Sequence, residues 1–176
     1  MKKELDEELC RKYPLLYADR GASMQVTCMC WGFDTGPGWF KIIDELSAKL
    51  EPLIAALPDD CECGWGEGPT HPRHEGECKL CSEDIAKRPF YEFHGKQYPR
   101  EVCSRFQSVR PRASQVKEKF GGLRFYMTTS TDEMDNLISE AEALSYKTCE
   151  DCGQPGKPND DGWISTLCEK CRKERK

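Results

Sequence analysis

Residues 115–126 read QVKEKFGGLRFY. Two runs that alternate apolar and polar residues meet at a glycine pair, and a Gly-Gly turn supplies the positive φ angles that a two-residue hairpin needs. The stretch predicts a β-hairpin turning on Gly121 and Gly122. In that register Phe120 faces Leu123, Lys119 faces Arg124, Glu118 faces Phe125, Lys117 faces Tyr126 and Val116 faces Met127. Val116, Phe120, Leu123, Phe125 and Met127 then form an apolar face suited to lie beneath helices. Gln115, Lys117, Lys119, Arg124, Tyr126 and Thr128 form the other. Glu118 falls on the apolar side and needs a partner or an edge position.

Downstream, Ser130 with Glu133 three residues on reads as a capping box. The helix it starts carries Met134, Leu137, Ile138, Ala141 and Leu144 on one face and delivers the chain to Cys149. Upstream, Met24, Val26, Cys28 and Cys30 alternate with Gln25, Thr27, Met29 and Trp31 up to Phe33, the period of a strand. DTGPGW (34–39) breaks that strand, with Asp34 or Thr35 placed to cap the next helix. Its glycines lack the spacing of a phosphate-binding loop, so a helix start with Trp39 as core anchor explains the stretch. Trp39, Ile42, Ile43, Leu46, Leu50, Leu53, Ile54 and Leu57 recur at helical spacing, with Pro52 as a kink or break. The opening MKKELDEELCRKYP reads as a short polar helix ended near Pro14 and not as a secretory signal. PFYEFHGKQYP (89–99) offers a strand and turn. The predicted class is α+β, helices packed on a small antiparallel sheet. Its core comes from 1–57 and 89–146, with a metal-holding insertion at 58–88 and a C-terminal four-cysteine zinc ribbon at 147–176.

The chain has 176 residues, 12 of them cysteine, and a formal net charge of −5. No run approaches the ~20 consecutive apolar residues that cross a bilayer, so a soluble cytosolic protein with no membrane partner is expected. In a reducing compartment such cysteines bind metal and do not pair. Cys149-x2-Cys152 and Cys168-x2-Cys171 have the spacing of a four-cysteine zinc site, a closed shell with no place for water and therefore structural. Cys61-x-Cys63 with Cys78-x2-Cys81 forms a second set. His71 or His74 could replace one of those sulfurs or simply be solvated. The insertion is almost empty of aliphatic residues, and a metal is what would give it shape. Two structural zinc ions are expected in all. Cys28 and Cys30 read as small buried side chains sharing a strand face.

The acidic balance argues against coating nucleic acid through bulk attraction. Any polyanion site must be local, and Lys119 opposite Arg124 is a like-charge pair from which the fold gains nothing obvious. With Lys117, Tyr126 and Arg112, and with Arg105 and Arg110 nearby, it suits an anionic ligand with a flat ring, such as a nucleotide. The alternative is a solvated sheet face paired with acidic neighbours. No Ser/His/Asp or Cys/His nucleophilic set is visible, and His94 has no evident partner, so an enzyme acting on a nucleotide or phosphorylated substrate is the minor reading.

Taken together, WGFDTGPGWFKIIDEL, QVKEKFGGLRFY and TCEDCGQPG with GWISTLCEKC resemble a group of small, mostly uncharacterised proteins of bacteriophages and prophages. The likeness runs from about 28 to 171 outside the insertion at 58–88. It implies a phage origin and the bacterial host cytoplasm as workplace, without naming an activity. The expected function is a non-enzymatic zinc-stabilised binding protein, acting on the host in anti-defence or takeover. It would use the basic-aromatic hairpin face on a nucleotide-like anion or a host defence protein. A nucleic-acid-binding zinc ribbon edged by Arg172, Lys173, Arg175 and Lys176 is the alternative.

Overall fold

The computed structural model describes residues 1–25, 27–57, 111–159 and 162–175, with the backbone also of 90–93 and 96–99. By contacts the chain divides into two units, Met1–Ala55 with Pro111–Lys176, and Ala56–Arg110. In the second, β2 (Phe90–Phe93) and β3 (Lys96–Pro99) pair antiparallel with Tyr91 opposite Tyr98. The insertion at 58–88, with Cys61, Cys63, Cys78, Cys81, His71 and His74, lies outside the described residues, as do Arg105 and Arg110.

The first unit opens with α1 (Lys3–Lys12), acidic in its first turn and basic in its last, which complements the helix dipole. It ends before Pro14, as its sequence implies. A 3-10 turn follows at Ala18–Gly21 and another at Cys28–Trp31. Only Phe33–Asp34 is strand here (β1), so the strand expected from Met24 onward is corrected. The Thr27 hydroxyl accepts the Met29 N–H at 3.1 Å and caps the turn, and Gly32 ends it at φ 79°. Arg20 ties the segment to α1, donating to the Cys30 carbonyl and to the Asp6 carboxylate at 2.9 Å each. A Cβ on Gly32 would strike that carboxylate. The alternation was therefore that of a turn with Met29 buried, and Cys28 is exposed and Cys30 half-buried, against the expected buried pair.

A 3-10 turn at Pro37–Trp39 leads into α2 (Phe40–Ala56), which runs through Pro52 without ending. Neither Asp34 nor Thr35 caps it; Gly36 precedes the turn with no side-chain cap, and Pro37 takes the first position. Ile42, Ile43, Leu46, Leu50 and Ile54 of α2 are buried, together with Leu9, Leu16 and Tyr17 from the N-terminal segment. Burial of each such large side chain stabilises by about 1.5–3 kcal/mol. The Tyr17 hydroxyl meets Ser47 Oγ at 2.6 Å, and its ring stands edge-on to Phe33 with centroids 4.9 Å apart. The Glu51 carboxylate accepts the Leu15 and Leu16 N–H groups, 2.9 Å each, fixing the loop after α1 to α2.

The predicted hairpin is present as β4 (Ala113–Lys119) and β5 (Gly122–Met127), turning one residue earlier than expected, on Phe120 and Gly121. Lys119 pairs with Gly122, Lys117 with Arg124, and Val116 with Phe125. The shift changes every partner but keeps parity, so each strand residue stays on its predicted face. Val116, Leu123 and Phe125 are buried. Phe120 is displaced into the turn, at φ 53° and 65% exposed, and it is not part of the apolar face. Glu118 has its partner in the Gly121 N–H, 2.6 Å from its carboxylate.

β1 adds to β4 in parallel, with Phe33 beside Val116 and Asp34 beside Lys117. The sheet, in the order β1-β4-β5, is thus mixed and not purely antiparallel. The chain reaches β4 from β1 only after α2 and the second unit, a connection long enough for parallel pairing. Next, α3 (Asp132–Ser145) is capped by Thr131, whose hydroxyl accepts the Met134 N–H, one residue later than the expected Ser130 box. Met134, Ile138 and Ala141 are buried as predicted, whereas Leu144 is exposed at the helix end. Two short strands, β6 (Lys157–Pro158) and β7 (Thr166–Leu167), and α4 (Glu169–Glu174) complete the chain.

Candidate functional site

The C-terminal cysteines are brought together by two local structures. After α3 the chain makes a knuckle in which the Cys149 N–H donates to the Gln154 carbonyl at 2.7 Å and the Gly153 N–H to the Cys149 carbonyl at 2.9 Å. Gly153, at φ 74°, takes the left-handed bend that a side chain would oppose. The β6–β7 hairpin then returns the chain to Cys168, which caps α4 by accepting the Cys171 N–H on its sulfur at 3.4 Å.

The sulfurs of Cys149, Cys152, Cys168 and Cys171 all lie within 4.8 Å of one another, and those of Cys152 and Cys168 are 3.6 Å apart. Bonds of ~2.3 Å to one tetrahedral ion set sulfurs about 3.8 Å apart, so this is the geometry of a metal site and the donor set fits zinc. Cys149 and Cys171 are buried beside Leu167, and Cys152 is exposed. The Cys168 thiol is held down to about 7, first by the Cys171 N–H, while Cys171 is pushed up, chiefly by its contact with Cys152. A proton-sharing thiol cluster of this kind gives up its protons to a cation that replaces them.

The module is fastened to the core at two places. At the first, DTGPGW meets the knuckle backbone to backbone. The Gly38 N–H donates to the Glu150 carbonyl at 2.6 Å, the Gly36 N–H to the Glu150 carboxylate at 2.8 Å, and the Trp39 indole to the Thr148 carbonyl at 2.8 Å. A Cβ on Gly38 would fall onto the Cys149 carbonyl, and one on Gly36 onto that of Glu150. At the second, the hairpin tip docks on β7 and on the end of α3. The Thr166 hydroxyl donates to the Gly121 carbonyl at 2.5 Å, and Ser145 Oγ accepts the Leu123 N–H at 2.8 Å. A Cβ on Gly122 would strike the Tyr146 ring. The glycines of both motifs are therefore places of close approach. Sequence reasoning missed Glu150, Thr166 and Ser145; the usable signal was a glycine pair in DTGPGW that fitted no phosphate-binding spacing.

On the hairpin face, Lys117, Lys119, Arg124 and Tyr126 share one side, but the like-charge pair is Lys117 with Arg124 and not Lys119 with Arg124. Arg124 is committed internally. It donates to Tyr146 Oη at 2.7 Å and to the Leu123 carbonyl, and it stands 3.7 Å from the Glu142 carboxylate. Its pKa is raised, first by the Tyr146 hydroxyl. Arg112 pairs with Asp19 at 2.7 Å. Lys117 lies 5.9 Å from the centre of the Tyr126 ring and Lys119 5.3 Å from that of Phe120, and neither forms an ion pair among the described residues. Beside Tyr126 opens a cleft of about 500 Å³, walled by Met24, Thr27, Ser114, Gln115 and Met127. At the C-terminus, Arg172 donates to the Lys157 carbonyl and Arg175 is paired with Asp151. No helix among the described residues is long and apolar enough to cross a membrane. Compared with models of known families, with curated proteins and with solved structures, the chain matches none.

Proposed function

We propose a non-enzymatic binding protein whose C-terminal zinc ribbon is a structural staple and whose ligand site is the cleft beside Tyr126. The carrying observation is that Lys117, without a carboxylate partner among the described residues, stands 5.9 Å from the ring centre of exposed Tyr126, which lines a cleft of about 500 Å³. The ligand class is a nucleotide-like anion. Its ring lies against Tyr126 and Met24, and its phosphate meets the Lys117 ammonium, with Lys119 adding positive charge farther along the same face. Arg124 and Arg112, committed to Tyr146, Glu142 and Asp19, shape the site and do not receive the anion.

Zinc fills the four sulfurs and completes their shell, so it holds the fold and does no chemistry. A second ion at Cys61, Cys63, Cys78 and Cys81 belongs to the same proposal, and elemental analysis giving two zinc ions per chain supports it. The setting we propose is a phage-type role in the bacterial cytoplasm, in which sequestering a nucleotide signal or engaging a defence protein disarms the host. The nucleic-acid reading has less behind it, because Arg172 and Arg175 of its basic edge are held by carbonyls and carboxylates of the module.

Calorimetric titration with a panel of mononucleotides and cyclic dinucleotides tests the site. One member should bind saturably, and Lys117→Gln and Tyr126→Leu should each weaken it at least tenfold with zinc content unchanged. No saturable binding across the panel, or affinity indifferent to both changes, overturns the reading. A steep fall of affinity with salt would instead favour several phosphate contacts and a nucleic acid.

A further inference from the structure

A second cavity, of about 210 Å³, lies on the seam between the sheet and the cysteine module, away from the Tyr126 cleft. Carboxylates reach it from three elements: Asp34 of β1, Glu118 at the end of β4, and Glu150 of the knuckle. Arg175 is the one cation among its walls, and it is already held by Asp151 and lies 3.9 Å from Glu150. Acid is therefore in excess. The acidic groups do not converge as metal ligands do, since the four-cysteine set is the metal-like cluster among the described residues.

Independently of that charge, Thr35 lines the same cavity, is 6% exposed, and leaves its Oγ1 buried with no hydrogen-bond partner. A buried hydroxyl without a partner costs stability and asks for an explanation. The other polar atoms narrow what could supply one. Glu118 uses one oxygen on the Gly121 N–H and keeps its second, whereas Glu150 uses one on the Gly36 N–H and turns the other toward Arg175 at 3.9 Å. Ser165 directs its hydroxyl hydrogen to Asn159 Oδ1, leaving its oxygen to accept. Asp34 forms no ion pair among the described residues. What faces the cavity is thus a set of acceptors carrying negative charge, and Trp163, 85% exposed, stands at its rim with an open aromatic face.

We infer that this cavity binds a guanidinium group, held by the Asp34 and Glu118 carboxylates and the Thr35 and Ser165 hydroxyl oxygens, with its plane against Trp163. A guanidinium carries five N–H donors and no acceptor, so it suits a wall in which carboxylate and hydroxyl oxygens predominate and the one cation, Arg175, is already paired. Its flat charged surface stacks on an indole where a compact ammonium does not. The group can come from a free guanidino metabolite or from an arginine side chain of a partner protein.

The test is titration of the zinc-loaded full chain, followed by calorimetry and by the Trp163 indole NMR signal, with four probes. These are agmatine, an acetyl-Gly-Arg-Gly-amide peptide, butylammonium and tetramethylammonium. The guanidinium probes should bind saturably, move the Trp163 signal, and bind at least tenfold tighter than butylammonium. Tetramethylammonium, which has no N–H, should not bind. Tighter binding of agmatine or of the peptide identifies the source. Asp34→Asn and Thr35→Val should each lower guanidinium affinity about tenfold, and Thr35→Val should do so with thermal stability equal or higher, because it removes a hydroxyl that nothing satisfies. Equal affinity for all four cations, no saturable binding, or undiminished binding in a correctly melting Thr35→Val protein overturns the proposal. Should a variant fail to fold, the ranking of the four probes on the unaltered protein decides alone.

Discussion

Replacing Gly38 by alanine puts the attachment of the metal module to the core under direct strain. Gly38 lies in a 3-10 turn without a positive φ, so away from its neighbours the added methyl would favour the folded chain by up to ~1 kcal/mol. Its surroundings reverse that sign. The new Cβ would sit on the Cys149 carbonyl, crowded further by the Gly153 amide at 2.5 Å and by the Glu150 carbonyl, and these are backbone atoms of a knuckle that cannot turn aside. Forced overpacking costs about 1–3 kcal/mol. Separating the surfaces also weakens the Gly38 N–H bond to Glu150 and the Trp39 indole bond to Thr148, roughly 1 kcal/mol each. A central expectation of about 3 kcal/mol lowers Tm by roughly 6–12 °C for a chain of this size. Scanning calorimetry and the rate of metal loss to a chelator measure both sides of the contact, and both should worsen together. Gly21→Ala is the control, because nothing lies within 4 Å of a Cβ there, and it should change stability by no more than about 0.5 kcal/mol. A Gly38→Ala protein as stable as the unaltered chain, with unchanged metal retention, refutes the docking of DTGPGW on the knuckle.

Three further outcomes follow from single sites. Phe120 occupies the left-handed region in an exposed turn before Gly121, so Phe120→Asn creates the Asn-Gly pair such turns prefer and should stabilise by about 0.5–1 kcal/mol in urea unfolding; destabilisation would show that the exposed ring is needed. Arg124→Met should cost about 1–2 kcal/mol, through loss of the Tyr146 hydrogen bond and the Glu142 pair, whereas Lys119→Met should be near neutral in the same assay; the reverse order would mean the cations are placed differently. Burial, aided by Asp6, pushes the Cys10 thiol from 9.0 to about 12, so mapped alkylation at pH 9 should modify exposed Cys28 far sooner than Cys10. The neutral thiol is the folded form, hence the Cys10 contribution is complete below pH 9.0 and is lost as pH rises from there toward about 12. Equal labelling of both cysteines would contradict that.

What the sequence disclosed, it disclosed through local chemistry. The Cys-x2-Cys pairs declare a metal-type site because each knuckle is set by neighbouring residues, and the four sulfurs converge as the spacing requires. The hairpin faces were legible because strand parity survives a slip of the turn from Gly121-Gly122 to Phe120-Gly121. The slip itself was not, since a bulky residue at φ 53° defeats any rule that gives such angles to glycine. The strand expected at 24–33 failed because an alternating pattern also describes a turn with one buried residue, and the Asp6–Arg20 pair that holds it spans α1 and the next loop. The proposed basic site changed composition for the same reason: Tyr146, Glu142 and Asp19, which engage Arg124 and Arg112, are distant in sequence.

The central claim is that a metal held by Cys149, Cys152, Cys168 and Cys171 staples the helix start and the hairpin tip to one another. Residue-resolved hydrogen exchange of the full chain, with metal bound and after chelation, tests it most directly. Chelation should strip protection from the Gly38, Glu150 and Leu123 amides and from the Trp39 indole, whose acceptors lie in or beside the module. The Leu16 amide, bonded to Glu51 remote from the module, should stay protected. If Gly38 and Leu123 keep their protection once the metal is gone, the staple is not what holds them and the account is wrong.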